Sequence, residues 1–156
     1  MLKKIIGITA WIVVFQIIGY WLGTISQVNS ATWYQTLHKS SLTPPDIVFP
    51  IVWTVLYAML AISGWSLWQY RQQPKAKIAL GFYGAQMVLN WAWTPLFFNF
   101  HLIAVSFYCI ILITILTLTT IFLTKNNFKF SSIMLIPYVV WLIFASYLNG
   151  VIWMLN

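Results

Sequence analysis

The sequence predicts an all-α integral membrane protein, a single five-helix transmembrane bundle over residues 1–156 with a long first loop as its lid. Three observations carry this expectation. Of the 156 residues 62% are hydrophobic, a pool of about 97 positions, and a spanning helix needs ~20 of them, so the chain holds apolar residues for roughly five spans. Only nine side chains carry a formal charge, eight basic and one acidic, whereas about a quarter of a soluble domain is charged. The charges are also bunched, leaving charge-free runs at 5–38, 47–70, 78–124 and 130–156.

The first run follows Lys3 and Lys4 and predicts a helix over 5–25. A basic pair before an apolar run also begins a secretory leader, but this run is long and lacks a small-x-small cleavage site, so the segment is expected to stay as a span. Residues 26–43 exceed a minimal connection, and within them 30–37, ending WYQTL, read as a short amphipathic helix at the bundle mouth. Thr43, Pro44, Pro45 and Asp46 read as the start of a second helix over 46–70: a capping hydroxyl, prolines suited to a first turn, and a carboxylate at the positive dipole end. As one helix the run 78–124 would be about 70 Å long, more than twice the ~30 Å hydrocarbon thickness, so it must fold as a hairpin. Helices over 78–97 and 102–124 follow, broken at 98–101, and a fifth covers 131–155. Lipid leaves no partner for an unpaired backbone group, which makes helices the expected spans.

Lys3, Lys4, Arg71, Lys75, Lys77, Lys125 and Lys129 fall on the N-terminal face of such a bundle, and Lys39 stands alone on the other beside Asp46. The basic face is expected in the cytoplasm, with the N-terminus. One carboxylate cannot make a glycosidase pair, an acidic metal cage or an acid-assisted triad. His38 and His101 show no metal-ligand spacing and Cys109 has no partner cysteine, so no metal site is expected. The thin, scattered +7 charge is no nucleic-acid footprint.

Ten tryptophans call first for interfacial belts, which suit Trp11, Trp33, Trp65, Trp68 and Trp153. Trp53, Trp91, Trp93 and Trp141 lie a turn or more inside their helices. Gln86, Asn90, Trp93 and Phe97 share one face of the third helix; Pro50, Trp53 and Tyr57 share one of the second; Tyr138, Trp141, Ala145 and Asn149 share one of the fifth. A pocket explains these faces, and interhelical hydrogen bonding explains Asn90 and Asn149 equally well. Gln16, Tyr20, Gly23 and Gln27 of the first helix, and Ser106, Cys109, Thr117 and Thr120 of the fourth, read as close packing. Gly81 and Ala85 form a small-xxx-small pair suited to a homodimer seam. Walls of indole, phenol and proline with no charge inside the spans suit a flat, rigid, apolar ligand and not an ion.

The stretches PPDIVFPIVWTVLY (44–57), NWAWTPLFF (90–98), PYVVWLIFASYLN (137–149) and WYQTLHK (33–39) resemble the translocator protein family, also called tryptophan-rich sensory proteins or peripheral-type benzodiazepine receptors. The resemblance runs through nearly the whole chain. It implies a five-helix membrane bundle, often a homodimer, that binds porphyrins such as protoporphyrin and haem, and isoquinoline-type ligands, under the first loop. It places Trp53, Asn90, Trp93, Phe97, Trp141, Ala145 and Asn149 at the pocket, with Pro44 and Pro45 anchoring a lid and Trp33, Tyr34 and Lys39 above it.

Departures are specific. Lys39, Ser40, Ser41 and Leu42 stand where the family commonly has Lys-Pro-Ser-Trp, so the lid loses a proline and an aromatic. The C-terminal cholesterol motif of animal members is missing its tyrosine and arginine, which become Gly150 and Met154, and cholesterol is not expected as a ligand. The missing cholesterol motif points to a bacterial member in the cytoplasmic membrane. The resemblance leaves three functions open: a non-catalytic porphyrin sensor or sequestering protein, a tetrapyrrole carrier, and an enzyme of light-dependent protoporphyrin breakdown in which Trp53 and Trp141 are catalytic and no cofactor is required.

Overall fold

The computed structural model of the chain describes residues 2–156, the side chains of residues 29 and 30 excepted. Five long helices make up the bundle: α1 (Leu2–Asn29), α2 (Val48–Trp68), α3 (Pro74–Thr94), α4 (Ile103–Thr124) and α5 (Lys129–Leu155). Four of them, all but α3, are long and apolar enough to cross a membrane. The third has the length, but Lys75, Lys77, Gln86 and Asn90 dilute its apolarity. Gln86 and Asn90 are buried, so the dilution faces the interior and not lipid.

The helices close a ring in the order α1, α2, α5, α4, α3. Its core is Leu60 and Ala61 of α2, Tyr83 and Met87 of α3, Ile110 and Ile113 of α4, and Leu135, Tyr138 and Leu142 of α5. Because lipid is as apolar as these side chains, the ring needs hydrogen bonds and close approach as well as burial. Ser63 Oγ and Ser131 Oγ bond at 2.7 Å between α2 and α5. Thr124 Oγ1 and Ser132 Oγ do so at 2.7 Å between α4 and α5, and the Tyr83 hydroxyl donates to the Leu60 carbonyl at 2.7 Å. Gly19 lets Tyr57 lie against the α1 backbone, where a Cβ would come within 2.7 Å of the ring. On the fourth helix Ser106, Thr117 and Thr120 are fully buried, in keeping with their reading as packing residues.

Three local expectations are corrected. Residues 30–37 do not form a separate amphipathic helix, because α1 runs on through a π-helical turn, Ser30–Tyr34. No glycine or proline interrupts the chain between Gly23 and Tyr34, and the wider turn re-aims Trp33 and Tyr34 over the bundle. The second helix begins at Val48, with Ile47 as its cap and no capping side chain, so Thr43 and Asp46 do not start it. Pro44 and Pro45 lack amide protons, and the Val48 amide closes a turn onto the Pro45 carbonyl at 2.9 Å, which delays the helical ladder. The third helix starts at Pro74 and the fifth at Lys129, because lysines expected to bound the spans lie inside the first turns. Between α3 and α4 a second π-helical turn, Pro95–Asn99, leads to His101, whose φ of 55° reverses the chain.

Candidate functional site

A cavity of about 700 Å³ opens inside the lid end of the ring, lined by α1, α2, α3 with its π turn, α4 and α5. Its floor is a polar relay held by three helices. The Tyr57 hydroxyl donates to Asn90 Oδ1 at 2.9 Å, and Asn90 Nδ2 donates to the Tyr138 hydroxyl at 2.8 Å. Tyr57 and Asn90 line the cavity, while Tyr138 lies directly behind them with no exposed surface. Both sides of the Asn90 amide are therefore engaged, which is why this polar group survives at 4% exposure in an apolar interior.

The walls are aromatic. Trp53 comes from α2, with its ring centroid 5.5 Å from Tyr57, and Trp141 from α5, 6.0 Å from Phe49. Trp93 and Phe97 stack at 5.1 Å and 9°, a pair that the bend at Pro95 directs inward. Trp93 Nε1 donates to the Ser106 carbonyl at 3.0 Å, whereas Trp141 Nε1 is buried without a partner. Asn149 Nδ2 donates to the Ile103 carbonyl at 3.2 Å and its Oδ1 is left without a donor. Such atoms cost free energy unless something fills their bonding capacity, and both residues line the cavity.

Over the mouth, Tyr34 packs edge-on against Phe97 at 6.1 Å, and burial followed by the negative charge of Asp46 pushes its hydroxyl up to about 12. The lid continues as a strap tied to α5. The His38 amide donates to Asn156 Oδ1 and Asn156 Nδ2 donates to the His38 carbonyl, both at 3.0 Å. Ser40 and Tyr147 hydroxyls bond at 2.9 Å, and Lys39 Nζ donates to the Tyr34 carbonyl at 2.9 Å.

Of the residues expected at the site, Tyr34, Trp53, Tyr57, Asn90, Trp93, Phe97, Trp141, Ala145 and Asn149 line the cavity. Trp33, Lys39, Pro44, Pro45 and Tyr138 lie outside its wall. Trp33 instead stacks on His101 at 4.0 Å and meets Phe97 edge-on at 5.3 Å, outside the seal made by Tyr34.

The sequence model of the TspO/MBR family matches residues 10–154. The chain belongs to the TspO/MBR family. It is 29% identical to the tryptophan-rich protein TspO of Chlorobaculum tepidum over the whole of this chain and 99% of that one. The translocator protein of Homo sapiens is 31% identical over 78% of this chain and 73% of its own, and protein CrtK of Rhodobacter capsulatus 32% over 82% and 81%. The family identifies the ring as a multi-pass membrane bundle, and the exposed apolar side chains of α1, such as Val13, Val14 and Ile17, fit contact with lipid.

One wall of the cavity lies outside the expected site. Gln16, Tyr20, Gly23 and Gln27 of α1, expected as close packing, line the cavity, and Gln16 also ties α1 to α2, its Nε2 donating to the Thr54 carbonyl at 2.8 Å. The signal was two amides in an otherwise apolar span, yet the same spacing serves a helix seam. Among the described residues no three His, Cys, Asp or Glu side chains gather as metal ligands, and the cavity wall contains no His, Cys or Met.

Proposed function

We propose that this TspO/MBR-family protein binds a porphyrin in the cavity under its lid and promotes light-driven oxidative degradation of it. The observation that carries the reading is the pair of indoles on adjacent helices, Trp53 of α2 and Trp141 of α5, lining a cavity of about 700 Å³, the size range of sites for organic ligands. A flat macrocycle against them gains stacking on large aromatic faces. Indole is readily oxidised, so either tryptophan can give an electron to a photoexcited porphyrin; the porphyrin radical anion passes that electron to dioxygen, the indole radical cation regains one from the porphyrin, and the porphyrin radical cation combines with superoxide into an oxygenated product, with no acid, base or resident metal needed. Protoporphyrin and haem both present such a flat face. Isoquinoline- and benzodiazepine-type compounds suit the same walls. The reading places the protein in the cytoplasmic membrane, as a homodimer.

The test is light-driven loss of the porphyrin absorption band with and without the reconstituted protein. Trp53→Phe and Trp141→Phe keep a π face but remove the easily oxidised ring, so the rate is expected to fall strongly while affinity falls about fivefold, the ~1 kcal/mol typical of one stacked pair. Trp65→Phe and Trp153→Phe, away from the cavity, should match the parent. Parental rates in all four variants would remove the enzymatic reading and leave a binding protein.

A further inference from the structure

Only one formal charge sits in the cavity wall, and it is negative: Asp46, the sole Asp or Glu of the chain. Among the described residues no Lys, Arg or His shares that wall. The expected place of Asp46 is a helix start, but α2 begins at Val48 with no capping side chain, so that role is empty. Asp46 instead accepts a hydrogen bond from Gln35 Nε2 on Oδ2 at 3.2 Å, and among the described residues it makes no ion pair. Lys39, the cation on the same side of the bundle, is engaged: its Nζ donates to the Tyr34 carbonyl and lies 4.5 Å above the Tyr34 ring.

A second acceptor lines the same cavity. Asn149 is 3% exposed, lines the cavity, and offers an Oδ1 that nothing in the described chain satisfies. Deeper along the same helix, eight residues or about 12 Å below it at 1.5 Å per residue, Trp141 Nε1 is a buried donor without an acceptor. The cavity thus has a polarity: an unfilled donor at depth, aromatic faces along the walls, and at the lid end an unfilled amide acceptor, Asn149 Oδ1, together with the one carboxylate of the wall, Asp46, exposed and bonded to Gln35.

We infer that the site selects flat aromatic ligands whose mouth-facing end carries a protonated amine or N–H donor, over ligands that place a carboxylate there, with Asp46 and Asn149 reading that end. The inference rests on the cavity being the ligand site but not on the ligand being a porphyrin. For porphyrins it predicts that esters and amides bind more tightly than the free diacid unless the propionates are turned away from Asp46.

The test uses two matched probes, pyrenemethylamine and pyrenecarboxylate, titrated against tryptophan fluorescence of the full chain in neutral-lipid nanodiscs. Comparing the ratio of the two affinities between variants cancels their different partitioning into lipid. A carboxylate about 4 Å from a unit charge in water is worth ~1 kcal/mol, about fivefold in affinity. Asp46→Asn is therefore expected to weaken the amine about fivefold and strengthen the acid about fivefold, collapsing the ratio about 25-fold. Raised salt should shrink the parental ratio. Asn149→Leu should weaken the amine and leave the acid unchanged, and Lys125→Gln, on the opposite face, should change neither. A ratio in Asp46→Asn within twofold of the parent overturns the inference, and so does failure of both probes to bind the parent. Loss of porphyrin binding with the pyrene ratio intact would instead count only against the porphyrin reading.

Discussion

Asn90 shows how much one residue settles. An asparagine in the middle of a span is explained by its spacing equally well as a ligand group or as interhelical glue. The structure makes it both, since it lines the cavity while Tyr57 and Tyr138 engage the two sides of its amide. Tyr138→Phe should leave Asn90 Nδ2 without an acceptor in a dry interior, at a cost of ~1–2 kcal/mol. That would appear as a lower unfolding midpoint in detergent, with the cavity wall itself unaltered. Tyr57→Phe should cost a similar amount and also disturb ligand affinity, because Tyr57 faces the void. An unchanged midpoint for both would mean that the relay is not a structural tie. Asp46 is the opposite case: proline neighbours and helix-dipole arguments assigned it a bland role, and only the delayed start of α2 shows that role to be vacant.

At the scale of elements, the helices were legible because lipid tolerates little else, and the charge spacing worked as a ruler. The π turns were not. Ser30–Tyr34 and Pro95–Asn99 each bring aromatic residues to the mouth, but a π turn differs from an α turn by a single register step that leaves no mark on an apolar sequence. The lid also depends on pairing that no local pattern encodes, since His38 and Asn156 are 118 residues apart. Asn156→Ala removes both bonds between Asn156 and His38, worth ~1 kcal/mol together at an exposed site, so the closed strap should be about fivefold less favoured. Stopped-flow quenching should then show faster ligand entry and release with a smaller change in equilibrium affinity; unchanged rates would mean that the strap does not gate the cavity. On α3, Gly81 and Ala85 are exposed on the outer face, and a Cβ at Gly81 would meet nothing within 4 Å. If this face is a homodimer seam, Gly81→Leu should lower crosslinked dimer yield without changing cavity affinity, since only a neighbouring protomer would meet the new side chain. Unchanged yield would place the seam elsewhere.

For the whole molecule, the charge distribution makes its own prediction. Lys3, Lys4, Arg71, Lys75, Lys77, Lys125 and Lys129 gather at one end of the ring, while the cavity mouth at the other end has Lys39 and Asp46. Loops rich in lysine and arginine stay on the cytoplasmic side during insertion, so the N-terminus should be cytoplasmic and the mouth should face outward. A ligand would then reach the site from outside the cell or from the outer leaflet. The native Cys109 is buried, and Cys109→Ser gives a background for single cysteines. In that background Ser41→Cys on the exposed strap should react in intact cells with a membrane-impermeant maleimide, and Lys75→Cys at the start of α3 should react only after lysis. The reverse pattern would invert the protein in the membrane and turn the mouth toward the cytoplasm. Equal labelling of both sites in intact cells would mean that seven basic residues against one do not fix a single orientation.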